Sequence, residues 1–495
     1  MRLAFQEQPR LDCPPVDAVP LNLNGRDEII PILRALQHIY GQAPVRRELL
    51  DLVGKDVNGD SSPDLGREGL SYWTITVLAA VRLGCNWDYD HLQNLAEEHR
   101  TLRLMMGIGT WDDPTDFCWQ RIRDNLCLLR PATLEKLNQL VVAAGHQLVP
   151  EAIKTVRGDT FVVETNIHHP TESSLIEDGL RKVVTLAAEL AESHGQPGWR
   201  QHDHLLRNVK KIVRDLRRIS GAKSQGADRF KPGYERLLTV ADDLLQRARQ
   251  LLVRLHIDTA AEGIDWLGVG LPGRREELLH YVQLTAQVCG TARRRVLLGE
   301  IVPNEDKIFS IYEPHTELIK RGKQPNPIQF GHKVLVIEDG AGFICHYAVA
   351  ANGVLDQDML VPAMTELQER MCGKIESASF DRGFHTPENQ KQLAGLVPHP
   401  CLPKKGQKLG RQQQEDATVE FREARQSHPG VESAIGALQA GNGQERCRDK
   451  SKLGYERYVG LGILGRNLHV LGKILLAQDN AECESAKSKR KKRVA

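Results

Sequence analysis

The sequence predicts an α/β protein in which a long helical segment interrupts a small mixed sheet. Runs rich in β-branched residues, typical of strands, occur at 154–165, 330–350 and 374–381. Between the first two runs, residues 175–300 carry apolar side chains at alternating steps of three and four, the spacing of packed helices. We therefore expect one α/β core with a helical insertion after its first strand.

The composition excludes several classes of protein. The chain has 495 residues and a net charge of only +2, so overall charge does not indicate a partner. Its ten cysteines form no C-x-x-C pair, which favours reduced thiols over disulfides or a zinc site. The N-terminus lacks a signal-peptide core, and we expect no run to reach the roughly 20 apolar residues that span a bilayer. These features predict a cytoplasmic protein, nucleoid-associated if it binds DNA.

The pattern along the chain predicts five kinds of segment. They are a flexible arm at 1–26, a helical N-terminal domain at 27–150, an α/β core at 151–174 and 301–480, a helical insertion at 175–300, and a disordered basic tail at 481–495.

Apolar periodicity in the N-terminal domain predicts helices at 29–39, 70–83, 89–105, 116–129 and 131–144. Gly84, Asn86 and Asp88 supply stop and cap signals between the second and third helices. Two helices across a short turn resemble a helix-turn-helix, whose following residues Arg100 and Arg103 would face phosphate. A plain helical bundle is an equal alternative.

The remaining elements follow from the same rules. Two heptad-like seams, at 205–219 and 237–255, predict antiparallel helices, and a further helix is expected at 274–298. Strands at 330–339 and 342–350 form a predicted hairpin, followed by a helix at 359–371, a strand at 374–381 and a short strand within 395–403. The segment 404–426 is predicted to be a mobile loop, and a final helical region starts near Gly430.

Three carboxylates form the predicted active site. Asp159 lies in the first strand, Asp381 ends the strand at 374–381, and Glu432 opens the last helical region. Mg²⁺ prefers carboxylate oxygens and substrate phosphates, and two such ions can clamp the attacking and leaving oxygens of a phosphodiester. The sequence therefore predicts a divalent-metal site. Three rivals remain for the third position: Glu420, Glu423 and Glu445.

With the insertion set aside, the order of elements is that of a ribonuclease H-like fold. The first carboxylate block, Asp159 followed by Asn166 and the run from Pro170 to Ser173, resembles the first motif of bacterial insertion-sequence DDE transposases. The resemblance extends over roughly residues 65–475.

Two further blocks carry the same resemblance. Asp381 begins the Asp-Arg-Gly-Phe run, which is similar to the family's second motif, and Glu432 precedes a Gly-rich stretch that closes with an Asn-Leu pair. His428 and Gln439 stand where some groups of the family have Arg and Lys. The resemblance therefore does not extend to the DNA-hairpin mechanism of those groups.

The resemblance implies a transposase that cuts DNA at inverted-repeat ends and joins the freed 3′-OH to target DNA. It implies Mg²⁺, or Mn²⁺, held by Asp159, Asp381 and Glu432, double-stranded DNA as substrate, and a homodimer that holds two ends at once. Two alternatives remain open. One is a ribonuclease H-like nuclease without strand transfer, and the other is a domesticated DNA-binding protein without catalysis.

Basic residues outside the three motifs are candidates for phosphate contacts. Arg382 follows Asp381 directly. The other candidates lie in the basic stretches 207–223 and 315–333, and they are Lys210, Lys211, Arg217, Arg218, Lys320, Arg321 and Lys323. A solvated charged surface is the alternative explanation for each stretch, and for the basic run at 487–493.

Overall fold

Two compact units make up the chain in the computed structural model. The first combines Met1–Asn166 with Gly331–Ala495, and the second is Ile167–Phe330. The structure describes residues 11–22, 27–59, 69–111, 113–221, 227–261, 271–320, 327–404 and 418–494. The second unit starts shortly after the first strand, at Ile167 and thus before the predicted start of the insertion at residue 175, and it ends at Phe330, beyond the predicted end at residue 300.

Helices dominate the first part of the chain. They are α1 (Ile29–Gly41), α2 (Ala43–Asn58), α3 (Tyr72–Gly84), α4 (Tyr89–Glu98), α5 (Arg100–Met105), α6 (Trp119–Leu126) and α7 (Pro131–Leu148). The helix predicted at 89–105 is two helices, because His99 leaves the helical conformation and its Nδ1 accepts a hydrogen bond from the backbone N–H of Leu102. Helix α2 was not predicted, since its apolar residues are mixed with charged ones.

These helices do not form a core of their own, which corrects the predicted separate domain at 27–150. Their buried side chains belong to the same hydrophobic cluster as those of the sheet and of the C-terminal helices. The apolar periodicity identified the helices correctly, but it could not show which partner each apolar face would meet.

A seven-stranded mixed sheet lies in the chain. Its strands are β1 (Thr155–Thr165), β2 (Glu317–Lys320), β3 (Ile328–Asp339), β4 (Ile344–Val349), β5 (Ser377–Phe380), β6 (His399–Cys401) and β7 (Arg446–Cys447). The order is β2-β3-β1-β5-β6, with β4 paired to β3 and β7 to β1. Strands β1, β3 and β4 pair antiparallel, whereas β5 is parallel to β1 and β6 is parallel to β5. The predicted strands and hairpin are present, and the short β2 and β7 were not predicted.

The C-terminal part contributes α12 (Asp356–Arg370), α13 (Pro387–Leu396), α14 (Val419–Ser427), α15 (Pro429–Gly441) and α16 (Lys452–Val494). The predicted final helical region is thus two helices, because the chain turns between them through positive φ at Gly443 and Ser451. The predicted loop at 404–426 contains α14, and its residues 405–417 lie outside the described residues. The tail predicted to be disordered continues α16 as helix.

The second unit has a hydrophobic core of its own. Helices α8 (Glu172–Ser193), α9 (His202–Gly221), α10 (Ala227–Ala261) and α11 (Leu271–Ala292) supply most of it. The predicted seams are confirmed: the buried residues include Val209, Ile212, Leu216, Leu237, Ala241, Leu244, Ala248, Leu251 and Leu255.

Helix α16 packs against α1, α3 and α7, and two of its glycines lie directly against the backbones of α3 and α1. A Cβ on Gly465 would lie 2.5 Å from the Cα of Gly84, and one on Gly472 would overlap the carbonyl of Pro31. The fully buried Asn467 accepts a hydrogen bond from the Ile344 N–H (2.8 Å) and donates to the Ile344 carbonyl (2.9 Å). Helix α16 therefore joins the N-terminal helices to the β4 edge of the sheet.

By length and composition, Lys452–Ser485 of α16 is apolar enough to cross a membrane, and 72% of its apolar window is buried inside the protein. The expectation that no run reaches that length was therefore wrong. A buried core helix meets the same test, and the contacts of α16 with α1, α3 and α7 are those of a core helix.

We predict that Gly472→Ala destabilises the protein by about 1–3 kcal/mol or more, because the added methyl group meets the backbone of α1, which cannot move aside like a side chain. Gly290→Ala in α11 is the control, since no atom lies within 4 Å of its Cβ position. It should be neutral or stabilise by up to about 1 kcal/mol. Urea denaturation measures both, and equal effects of the two variants would contradict the packing described for α16.

Candidate functional site

The register between β1 and β5 places Asp159 beside Asp381. Gly158 pairs with Phe380 at the end of this parallel ladder, and the two aspartates are the next residue of each chain segment. Successive side chains of a strand point to opposite faces of the sheet. Both aspartates are therefore expected on the face opposite to the one that carries Gly158 and Phe380. Two residues that are far apart in the sequence thus become neighbours on one sheet face.

The Asp381 carboxylate is held by the turn that follows β5. Its Oδ1 accepts a hydrogen bond from the Gly383 N–H at 2.5 Å, which caps the short helical turn Arg382–Phe384. Phe384 is buried and packs on Phe380, with ring centroids 5.2 Å apart. A Cβ on Gly383 would lie 2.8 Å from the same carboxylate oxygen. The turn therefore fixes where Asp381 can point, and it leaves the Arg382 side chain exposed.

Asp159 is half-buried in the middle of β1, opposite Val336 of β3. Its Oδ1 accepts a hydrogen bond from the N–H of Thr160 at 2.7 Å. Arg157, two residues earlier on the same face, is bound to Glu338 of β3 at 2.7 Å. A cation therefore lies on the face that carries the two aspartates.

Glu432 reaches this face through helix α15. Arg157 Nη1 donates to the carbonyl of Ser427 at 2.9 Å, just before α15 begins, and α15 packs against β1. Gly430 permits this approach, because a Cβ there would overlap the Arg157 guanidinium. Glu432 itself is exposed in the first turn of the helix, next to the buried Val431.

One histidine is influenced by the charges of both the second and the third carboxylate. His428 precedes α15 and is half-buried, and its burial lowers the imidazole pKa. The charges of Asp381 and Glu432 both act in the opposite direction on this pKa, and Arg425 adds to the lowering. Within the described part of the chain, its buried Nδ1 has no hydrogen-bond partner. Asp381 and Glu432 therefore lie close enough to influence the same ring.

Asp159 and Asp381 follow one face of the sheet and Glu432 lies on the helix that packs against β1, but the three carboxylates are not at the spacing of metal ligands. Among the described residues, one group of His, Cys, Asp and Glu has its ligand atoms within 4.8 Å of one another, and it is not this trio.

That compact group is His146, Asp339 and Cys345. His146 Nε2 lies 2.7 Å from Asp339 Oδ2, and the Cys345 thiol lies 3.5 Å from the same oxygen. Asp339 Oδ1 also accepts hydrogen bonds from the N–H groups of Ala341 and Phe343, which close the β3–β4 hairpin. Burial, with the Asp339 charge, raises the pKa of the Cys345 thiol well above its usual range. The thiol keeps its proton, and the cluster is explained by its role in holding α7 to the hairpin.

The other residues predicted to contact DNA differ in whether their side chains are exposed or bound within the protein. Arg100 is exposed, whereas Arg103 is half-buried and its Nη1 donates to the carbonyls of Ala96 (3.3 Å) and Glu97 (3.2 Å). Arg103 thus has a structural role in joining α4 to α5. The cations Lys210, Lys211, Arg217, Arg218 and Lys320 are exposed, and Arg321 and Lys323 lie outside the described residues.

Sequence reasoning missed Arg157, Gly430 and the location of His428. The Pro-Gly pair before Glu432 indicates a helix start, but nothing in the sequence shows that Gly430 must accommodate an arginine 273 positions earlier in the chain, on β1. No family model, no curated protein and no solved structure matches this chain. Its function must therefore be inferred from these residues and their geometry.

We predict that Gly430→Ala destabilises the protein by about 1–3 kcal/mol and increases amide exchange at the start of α15, because the methyl group displaces an arginine that is already bound on two sides. The matched control is Gly436→Ala in the same helix, where no atom lies within 4 Å. It should stabilise by about 0.5–1 kcal/mol. If Gly430→Ala behaves like Gly436→Ala in denaturation and exchange, α15 does not pack on β1 as described.

Proposed function

We propose that this protein is a DDE-type transposase, which cuts DNA at the inverted-repeat ends of a mobile element and joins the freed ends to target DNA. The observation that carries the proposal is the β1–β5 register, which brings Asp159 and Asp381 together on the face that α15, with Glu432, covers. Asp159 and Asp381 come from distant parts of the chain, and neighbouring carboxylates repel each other unless a cation offsets their charge.

The sheet topology supports the proposal. Along the order β4-β3-β1-β5-β6, three antiparallel strands are followed by two strands parallel to the central one. A ribonuclease H-like core would have this arrangement, and the second unit would then be an insertion between its first two strands. The proposed catalytic groups lie on the central strand, after its parallel neighbour and on a covering helix.

The donor chemistry fits divalent magnesium. Asp159, Asp381 and Glu432 offer only carboxylate oxygens, the ligands that Mg²⁺ prefers, and Mn²⁺ accepts the same set. These residues would hold the ions, which supply Lewis-acid activation of a phosphodiester and its nucleophile. The Gly383 N–H orients Asp381, and Arg157 anchors the helix that carries Glu432.

The proposed reaction has two steps of the same kind. In the first, the oxygen of a water forms a bond to phosphorus while the bond to the 3′ oxygen breaks, leaving a 3′-OH and a 5′-phosphate. In the second, that 3′-OH oxygen attacks a target phosphodiester, whose own 3′ oxygen leaves. Neither step needs a covalent bond to the protein. Arg382 follows Asp381 and is exposed, and in this proposal it contacts a substrate phosphate.

Joining two ends of one element at the same time requires two active sites. The proposed partner is therefore a second copy of this chain, bound with two double-stranded DNA ends in a synaptic complex.

We predict that Asp159→Asn, Asp381→Asn and Glu432→Gln each reduce metal-dependent DNA cleavage by about 10²–10⁴ or more, because each removes one negative ligand. Glu420→Gln, Glu423→Gln and Glu445→Gln, three acidic residues near Glu432 in the sequence, should leave cleavage unchanged. Cleavage of a labelled duplex in Mg²⁺, with thermal melts to confirm folding, measures all six. Full activity of Asp159→Asn would exclude the assigned site. Loss of activity in Glu423→Gln, with Glu432→Gln active, would show that Glu423 is the third catalytic carboxylate.

Strand transfer separates a transposase from a nuclease of the same fold. We expect the purified protein to join a pre-cut end carrying a free 3′-OH to a target plasmid in Mg²⁺, and we expect no joining when that end carries a 3′-dideoxynucleotide. Gel analysis of labelled ends detects the joint product. Cleavage without any joining of the element's own ends would reassign the protein as a nuclease.

A further inference from the structure

Helix α9 of the second unit has two sharply different faces. Val209, Ile212, Val213 and Leu216 are buried in the unit's core. The exposed residues on the other side include six cations: Arg207, Lys210, Lys211, Arg214, Arg217 and Arg218. At about 100° per residue, these six fall within an arc of about 120°, opposite the apolar residues. They form one continuous stripe, which we term the α9 stripe.

Few carboxylates neutralise this stripe. Asp215 is the one acidic residue between Arg207 and Arg218. Arg217 lies 3.1 Å from Glu177 and Arg218 lies 3.9 Å from Asp215, and exposed pairs of this kind hold their partners weakly. Lys210, Lys211 and Arg214 have no ion-pair partner among the residues that the structure describes. The stripe therefore keeps most of its positive charge.

The neighbouring helix α10 of the same unit has no such single-sign stripe on its described exposed surface. Its exposed arginines, such as Arg236 and Arg249, alternate with exposed acids, such as Glu235 and Asp242. This mixture of signs is what a surface needs for solubility alone. A single-sign stripe indicates a charged partner instead.

A cleft of mixed charge lies beside the stripe, at the start of α9. Arg181 of α8, Arg207 and Lys210 line this cleft of about 600 Å³ together with Glu177 and Asp203. Arg181 also donates to the Tyr312 hydroxyl at 2.7 Å, which holds its guanidinium near the cleft. Because Arg181 is also ion-paired with Asp178 at 2.8 Å, and Glu177 and Asp203 offset the other cations, the cleft adds little positive charge to the stripe.

The dimensions of the stripe match a DNA backbone. From Arg207 to Arg218 the helix rises about 17 Å. Over that length each strand of B-DNA presents about five phosphates, at 3.4 Å of axis per phosphate. Six cations on one face are enough to neutralise such a segment of one strand.

We propose that the α9 stripe binds the phosphate backbone of double-stranded DNA, so that the second unit is a DNA-binding element separate from the catalytic face. This inference rests on the proposed function only for the choice of double-stranded DNA as the partner. The contacts are to phosphates, so the stripe contributes affinity for any sequence and does not select the terminal repeat.

Binding can be measured in the full-length protein without metal, so that cleavage does not interfere. The test variant is Lys210→Ala/Lys211→Ala/Arg214→Ala, which removes three unpaired cations of the stripe. The matched control is Arg236→Ala/Arg249→Ala/Arg254→Ala, which removes the same charge from exposed positions of α10. Alanine favours helix in both cases, and thermal melts confirm folding.

We expect the stripe variant to bind a fluorescein-labelled duplex of arbitrary sequence more weakly, with a slope of log K against log salt that is smaller by roughly two to three, because about 0.9 counterion is released per phosphate contact. The control variant should keep the wild-type slope. Equal losses in both variants, an unchanged slope in the stripe variant, or equally good competition by polyglutamate would each overturn the proposal.

The outcome is independent of the catalytic proposal. Stripe-dependent binding without any metal-dependent cleavage would disprove the transposase function and leave the stripe as a DNA-binding surface. Normal DNA binding by the stripe variant, together with metal-dependent cleavage by the wild type, would disprove the stripe as a DNA-binding surface and leave the catalytic proposal standing.

Discussion

The rest of the first unit depends on the backbone contacts of α16. Gly465 and Gly472 allow this helix to lie directly against α3 and α1, and larger side chains there would push the helices apart. Asn467 satisfies both backbone groups of Ile344 in β4, and the Tyr455 hydroxyl donates to the Val163 carbonyl of β1 at 2.7 Å. One helix thus supports two strands of the sheet from the same side and ties them to the N-terminal helices.

The geometry of the proposed active site depends on the register of the strands that α16 supports. A slip of β1 by one residue would move Asp159 to the other face, because side chains alternate along a strand. Gly158 opposes such a slip, since the ring of Phe380 occupies the space that any Cβ at this position would need. The arrangement of Asp159 and Asp381 is therefore a consequence of packing on the opposite face, where neither aspartate takes part.

Much of the fold could be predicted, because its elements are encoded by neighbouring residues. The seams of α9 and α10, the strand around Asp159 and the β3–β4 hairpin all follow from local periodicity and turn residues. The errors have a common cause. Each involves a contact with a distant segment, which a local pattern does not contain. His99 at the break binds Asp27 at 3.0 Å, β7 pairs with β1, and Asn442 after α15 donates to the Leu83 carbonyl at 3.0 Å. In the same way, Asp159, Asp381 and Glu432 could be chosen from the sequence, but Arg157, Gly430 and His428 could not be placed.

The sequence by itself determined which segments are helix or strand, which helix faces are apolar, and which carboxylates are candidates for metal ligands. Only the tertiary structure decided that the N-terminal helices share the core of the sheet, that Asp159 and Asp381 lie on one face, and that the cations of α9 remain exposed as a single stripe. The physical reason is that secondary structure depends on residues a few positions apart. Register, burial and charge neutralisation depend on pairs such as Arg157 and Ser427, 270 positions apart, that meet only in the folded chain.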